Sequence, residues 1–402
     1  MAQAAYVHIP FCRQRCHYCD FPVVVDARVD SPWRAAYLAA LVREIQLTPA
    51  VGGPLTSVFF GGGTPSLLTP AELASVLQAL ERQFGFAEGI EISLEADPGT
   101  PGIAYLRDYQ RLGVNRLSVG VQSFTPQLLR ASGRTHTVED IAEAVAQIHR
   151  CGWENWNLDL LQGLPGQTLA DWQADLTQAV RAQPTHLSTY DLTLEPKTRF
   201  YRAVQRGQLA LPDEALTAQM YEMAHAFLES HGYEHYEISN YARPGYQCRH
   251  NLTYWRNQPY YGFGLGATSY VNQVRFQRPT TLRGYFQWVE QQAQRGVVQY
   301  PDPPLTPEET LIEGLLLGLR LKEGVSLADL LQNVPEPARS LYHTRIQQTL
   351  QAYADVKWVG HAGARWFLLA PQGFLMANTV LVQVWQAMET GAPPPALTLS
   401  SA

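Results

Sequence analysis

Only five cysteines occur in the 402 residues, too few and too unevenly spread for a disulfide framework, which excludes a disulfide-stapled secreted scaffold. Charge is also scarce: charged residues make up 16% of the chain, the net charge is −6, and no block of lysine and arginine stands out. A broad nucleic-acid surface is therefore not expected, whereas a small ligand or a protein partner is. No apolar run is long enough to cross a bilayer, so no integral membrane segment is expected. The opening residues, MAQAAYVHIP, lack a basic stretch leading into an apolar core. No secretory signal is read there, and a cytoplasmic location is the expectation.

What is present is apolar mass in a regular order. Hydrophobic residues reach 46%, and a chain of this length exceeds one ordinary core, so a large α/β unit with smaller C-terminal material is expected. The runs YVHIPF, TSVFFGG, IEISLEA, RLSVGVQSF, WNLDLLQG and HLSTYDLTLE have strand character, and segments with helical periodicity separate them. Ser31-Pro32, Thr69-Pro70, Thr100-Pro101 and Thr125-Pro126 each place a hydroxyl at a helix N-cap before a proline whose missing N–H costs nothing in the first turn. Thr137 and Thr168, each followed three residues later by aspartate, add a capping-box variant. Six strands alternating with helices imply a parallel sheet with right-handed crossovers, open or curved into a partial barrel. Its ligand belongs at the C-terminal strand ends.

Chemistry collects at those ends. Cys12, Cys16 and Cys19 follow the first strand and GGGTPS the second; Glu95, Gln122, Asp159 and Glu195 close the later ones. Groups at the same end of six successive strands suggest one shared site. In a reducing compartment the cysteine cluster reads as a metal site. Zinc would take the three thiolates with His17 or His8 as fourth ligand. A [4Fe–4S] cluster would leave one iron open and in need of a ligand. Cys151 and Cys248 lie far off and read as ordinary buried thiols.

The CxxxCxxC loop after YVHIPF, followed by FFGGGTPS, resembles the radical S-adenosylmethionine (SAM) superfamily, in which the amino and carboxylate groups of SAM chelate the fourth iron. GGGTPSLL, LEADPGT, GVNRLSVGVQSF, NLDLLQGLPGQT, YEISNYARPGYQCRHNLTYW and GFGLGA extend the resemblance, over nearly the whole chain, to the HemW family of heme chaperones. These are relatives of oxygen-independent coproporphyrinogen III oxidase, HemN. The resemblance assigns Cys12, Cys16 and Cys19 to the cluster, and Tyr6, Gly62 and Glu95 to SAM. In the oxidases a second SAM sits nearby, and the corresponding positions are Tyr18, Gly63, Thr64, Gln122, Arg134 and Asp159; whether one or two SAM molecules bind stays open. Residue chemistry agrees with these roles. Glycines 61–63 allow a close backbone approach to a ligand, Arg134 suits a carboxylate, and Asp159, inside an apolar strand, needs a donor from a ligand or from a neighbour such as Arg134.

Two departures from the oxidases point to the chaperone branch: Phe21 stands where they carry a further cysteine, and Tyr6 lies near the start where they have a long extension. The HNxxYW signature, His250, Asn251, Tyr254 and Trp255, is what the resemblance links to heme. His250 is the expected axial ligand and Cys248 the alternative. The expected architecture is a partial (β/α)6 radical SAM barrel over 1–235, an α+β extension over 236–300, a small winged-helix-like domain over 301–390 and a disordered tail over 391–402. The expected function is a heme chaperone with a [4Fe–4S] cluster, SAM and heme, delivering heme to acceptor hemoproteins. A respiratory-chain acceptor and peripheral membrane association are left open. The alternatives are an oxidase-type radical SAM enzyme that decarboxylates porphyrinogen propionates, and a metal-stabilised scaffold without chemistry.

Overall fold

The computed structural model describes residues 1–391, with the side chains at 101 and 102 left out. The expected tail thus lies outside the described residues beyond Gly391. The chain falls into two compact units. The first comprises Met1–Met220, Cys248–His250 and Pro259–Pro304; the second comprises Tyr221–Gln247, Asn251–Gln258 and the chain from Leu305 onward. Residues 236–300 contribute to both.

Six strands of the first unit are those read from the alternation: β1 (Ala4–Ile9), β2 (Leu55–Gly62), β3 (Phe86–Ala96), β4 (Arg116–Gln122), β5 (Trp156–Gln162) and β6 (His186–Asp191). A seventh, β7 (Tyr261–Phe263), joins the outer edge of β1, giving the order β7-β1-β2-β3-β4-β5-β6 with every neighbouring pair parallel. The order never returns on itself, so this is a partial barrel. Along each strand, alternate residues do different work. Val58, Phe60, Ile92, Leu94, Leu117, Val119, Leu158, Leu160 and Leu187 are buried apolar residues, whereas Ser57, Ser93, Ser118, Asn157 and Ser188, on the opposite face, are buried and polar.

The crossover helices include α1 (Pro32–Leu47), α2 (Pro70–Phe84), α3 (Val138–Arg150) and α4 (Leu169–Arg181). Thr69, Thr137 and Thr168 form full capping boxes with Glu72, Asp140 and Asp171. Ser31, Thr100 and Thr125 occupy N-cap positions but make no capping bond. Ser31 instead donates to Asp26 Oδ2 at 2.6 Å and Thr100 to the carbonyl of Asp97 at 2.7 Å. The unit ends in an antiparallel hairpin, Thr268–Val271 with Val274–Gln277, and helix α5 (Leu282–Arg295).

The second unit holds a short antiparallel pair, Glu234–Glu237 with Asn240–Ala242. Its C-terminal part runs helix, strand, helix, helix, strand, strand over Pro307–Gly318, Val325–Ser326, Leu327–Leu331, Ala338–Asp355, Val359–Ala362 and Arg365–Leu368. The last strand in chain order lies between the other two, which is the winged-helix-like arrangement. Leu311, Leu315, Ile346, Leu350, Tyr353, Val380 and Val384 fill its core.

Candidate functional site

The cysteine loop leaves the C-terminal end of β1 and is held there by a short parallel ladder, Phe11–Cys12 with Val24–Val25. Cys12, Cys16 and Cys19 are all free and half-buried. Donors are aimed at two of the sulfurs: Thr64 Oγ1 lies 3.6 Å from Cys12 Sγ, and Arg134 Nη1 lies 3.5 Å from Cys16 Sγ. Burial pushes the Cys12 thiol up to about 11, with the Thr64 hydrogen bond opposing, and burial also raises Cys19. Such thiols release protons when they bind a metal. Among the described residues, no three Cys, His, Asp or Glu side chains converge as a single ion requires. Three free thiols on one loop are the donor set that a [4Fe–4S] cluster with one open iron would take.

Both histidines weighed as zinc ligands are engaged by protein. His8 Nε2 donates to the carbonyl of Pro22 at 3.0 Å, leaving Nδ1 to accept from Tyr6 Oη at 3.1 Å; burial lowers this imidazole to about 4. His17 Nδ1 donates to the carbonyl of Ala131 at 2.8 Å, and its Nε2 accepts from Arg199 Nη1 at 2.8 Å.

Gly62, Gly63 and Glu95 meet beside the cysteine loop at the ends of β2 and β3, and the ring of Tyr6, from midway along β1, lies with the Glu95 carboxyl against Gly61. The Gly62 N–H donates to Glu95 Oε2 at 3.1 Å. Gly62 has φ +108°, and a Cβ there would lie 2.3 Å from the His8 ring. Gly63 is held by its N–H to the carbonyl of Ile9 at 2.8 Å, and a Cβ would meet backbone atoms of Pro10 and Phe11. Glycine is required at both by close approach. Burial, and then the charge of Asp159, push the Glu95 carboxyl up to about 8.

The second group is also assembled, with different internal partners from those expected. Arg134 pairs with Asp97 and donates to the carbonyl of Gly120 at 2.9 Å. Its carboxylate is therefore Asp97, which sequence reasoning missed although it lies two residues beyond Glu95. His136 Nδ1 stands 3.4 Å from the same carboxylate, and Arg134 with His136 holds Asp97 at about 2 against the cost of burial. Asp159 takes its donors from Ser118 Oγ at 3.0 Å and Asn157 Nδ2 at 2.7 Å, and burial raises its pKa. Gln122 sits at φ +67° where the register of β4 against β5 shifts, a strained position of the kind found beside ligands. Tyr18 packs on Phe200 with ring centroids 6.4 Å apart, beside the cysteine loop.

His250 lies behind this assembly, with Phe59 stacked on both its ring and that of Tyr6. Its Nδ1 lies 3.0 Å from Ser57 Oγ, its ring stacks on Phe59 at 5.3 Å, and its backbone N–H donates to Glu91 Oε1 at 3.2 Å. Ser57 is five residues before Gly62 on β2, about 16 Å down the strand. The imidazole is fully buried, which lowers it to about 3. In this structure it is closed to a macrocycle. Cys248, the alternative, is equally buried, with Sγ 3.7 Å from Glu91 Oε1.

A parallel βα sheet carrying three cysteines, a glycine turn and buried acids at its C-terminal edge defines a radical SAM protein, and residues 6–179 match the radical SAM superfamily. The chain is 45% identical to the heme chaperone HemW of Synechocystis sp. over 97% of its length and 98% of that protein's. It is 35% identical to HemW of Bacillus subtilis over 94% and 98%. The chain belongs to the HemW heme chaperone family. Its fold is also that of coproporphyrinogen III oxidase (HemN) from Escherichia coli, with a TM-score of 0.77 over 95% of this chain and 90% of that one, at 23% identity.

Proposed function

We propose that this protein is a heme chaperone that works in the cytoplasm, carries a SAM-liganded [4Fe–4S] cluster, binds heme as cargo and delivers it to acceptor hemoproteins. The observation that carries the reading is the near full-length similarity to HemW heme chaperones. Among the described residues no helix is long and apolar enough to cross a membrane, consistent with a carrier that reaches its acceptors from solution.

In this reading Cys12, Cys16 and Cys19 hold the cluster. Tyr6, Gly62 and Glu95 bind SAM, with Tyr18, Gly63, Thr64, Gln122, Arg134 and Asp159 lining the adjoining space, for one or two SAM molecules in all. The cluster, once bound, supplies an iron with an open position and an electron. The rest is done by the chain. Arg134 and Thr64 donate to cysteine sulfurs and so stabilise thiolate charge. Asp97 keeps the Arg134 guanidinium aimed. The turn at Gly62 and Gly63 lets backbone approach SAM without side-chain interference. Tyr6 and His8, bonded to each other, close the inner wall against water.

The test is transfer. Cluster-reconstituted protein loaded with one equivalent of heme is mixed anaerobically with an apo-hemoprotein, and the Soret band is followed. Movement of heme to the acceptor is expected. Retention of heme, together with SAM-dependent loss of carbon dioxide from coproporphyrinogen III, would replace the chaperone with an oxidase-type enzyme.

A further inference from the structure

We propose that heme docks by one face on an aromatic pocket between Trp33 and Phe286, with Arg283 receiving a propionate. This inference rests on the heme-chaperone reading and gives its cargo a site away from His250. The pocket is a cavity of about 370 Å³ lined by Trp33, Leu282, Arg283, Phe286 and Gln287, within the roughly 300–1,000 Å³ usual for small-molecule sites. The Trp33 and Phe286 rings are within 7° of parallel, with centroids 6.5 Å apart. They form a stacked pair whose outer face is of the kind a flat macrocycle stacks on. Trp33 remains 55% exposed. Arg283 is exposed and has no ion-pair partner among the described residues. An amphipathic dianion with a planar apolar body finds both halves of its complement here.

The location and rigidity of the pocket fit cargo handling. Of ten exposed large hydrophobic residues among those described, four, Phe21, Val25, Val29 and Trp33, lie between the cysteine loop and the first turn of α1. A helix that follows a parallel strand starts at that strand's C-terminal end, so this apolar stretch shares an end of the sheet with the cysteines. The two helices that form the pocket are pinned beneath it by buried charge. Arg278 Nε bonds Glu44 Oε1 at 2.7 Å, with both side chains fully buried, and Tyr285 Oη donates to Glu44 Oε2 at 2.7 Å. Glu44 lies on α1 and Tyr285 on α5, so Trp33 and Phe286 stand on fixed supports.

None of the five lining residues carries an axial donor for iron. The macrocycle is held by one face and one edge, and the axial position on its open face stays available to an acceptor. A carrier that must surrender its cargo gains from that arrangement, whereas a buried imidazole ligand would have to be broken at each transfer.

The experiment is an anaerobic heme titration of the full-length, cluster-reconstituted protein, read by tryptophan quenching and the Soret band, for wild type, Trp33→Ala, Arg283→Glu, His250→Ala and Trp385→Ala. Trp385 is an exposed tryptophan of the second unit and controls for adsorption. The expected result is one heme per chain in the wild type, with affinity about tenfold weaker in Trp33→Ala and in Arg283→Glu, and unchanged in Trp385→Ala. Cluster absorption reports the fold of every variant. Stoichiometric binding that survives both pocket substitutions, or falls only in His250→Ala, would overturn the site while leaving the chaperone reading intact. Absence of specific heme binding by the wild type would overturn both.

Discussion

Glu95 is a carboxyl group whose surroundings favour its neutral form. Burial and the nearby Asp159 raise it to about 8, and the Gly62 N–H and the Arg116 charge oppose the shift without cancelling it. SAM carries a fixed positive charge at its sulfonium, and an opposite charge beside a carboxylate favours ionisation. Binding of SAM to the cluster-reconstituted protein at about pH 7 should therefore expel the Glu95 proton, and the release should fade as pH rises past about 8, where the group is already ionised. Calorimetry in buffers of differing ionisation enthalpy measures this directly. The wild type should release about one proton per SAM more than Glu95→Gln, in which only the amino group of SAM loses one on chelating iron, and the variant's affinity for SAM should be about tenfold lower. Equal release in both proteins would exclude Glu95 from the SAM contact.

At the scale of elements, the site depends on how closely β1 and β2 end beside one another. Gly62 has the positive φ of a left-handed turn, and its missing Cβ leaves room for the His8 ring, which is fixed at both nitrogens by Tyr6 and Pro22. Gly152 also has positive φ, +71°, but nothing lies within 4 Å of the position a Cβ would take. Gly152→Ala should thus carry backbone strain alone, about 1–2 kcal/mol. Gly62→Ala adds a wedge between two strands and should, beyond that cost, weaken SAM binding more than about tenfold. Equal effects of the two substitutions on stability and on SAM affinity would show that sterics at Gly62 do not shape the site.

The strands, their order of alternation and the cysteine turn were legible because they are local: period-two runs, Thr-Pro starts and three cysteines within eight residues need no tertiary knowledge. Partnerships were not. Arg134 finds Asp97 across 37 residues, and His250 is enclosed by Ser57 and Glu91 from distant strands, so neither its burial nor its bonds could be inferred from HNxxYW. Ser31 occupies the N-cap position that the sequence indicates but makes no capping bond, and its hydroxyl donates to Asp26.

For the whole molecule, buried ionisable groups set a window of stability, and the second unit carries opposing members of that set. His235 is buried against Tyr241 and lies 3.0 Å from His225, Nδ1 to Nδ1; burial holds it at about 3. A histidine kept neutral in this way favours the fold above about pH 6.5, and the gain is lost as pH falls towards 3. Glu237 acts in the other direction. It is fully buried, its Oε2 accepts from the Ser239 N–H at 3.2 Å, and its Oε1 has no hydrogen-bond partner among the described residues. Burial raises it to about 7, with the Ser239 and Asn240 bonds opposing. Relative to an unfolded carboxyl near about 4.5, the folded state holds a proton that the unfolded state has released, so the gain is complete below about pH 4.5 and is lost as pH rises through about 7. The shift corresponds to about 3 kcal/mol. Glu237→Gln keeps the shape of the group and removes the charge. Urea denaturation followed by tryptophan fluorescence should show the variant more stable than wild type by up to about 3 kcal/mol at about pH 8, with the two converging towards about pH 4.5. Parallel stability curves over that range would mean that Glu237 ionises in the fold at little cost, and that the alkaline side of the window is set elsewhere.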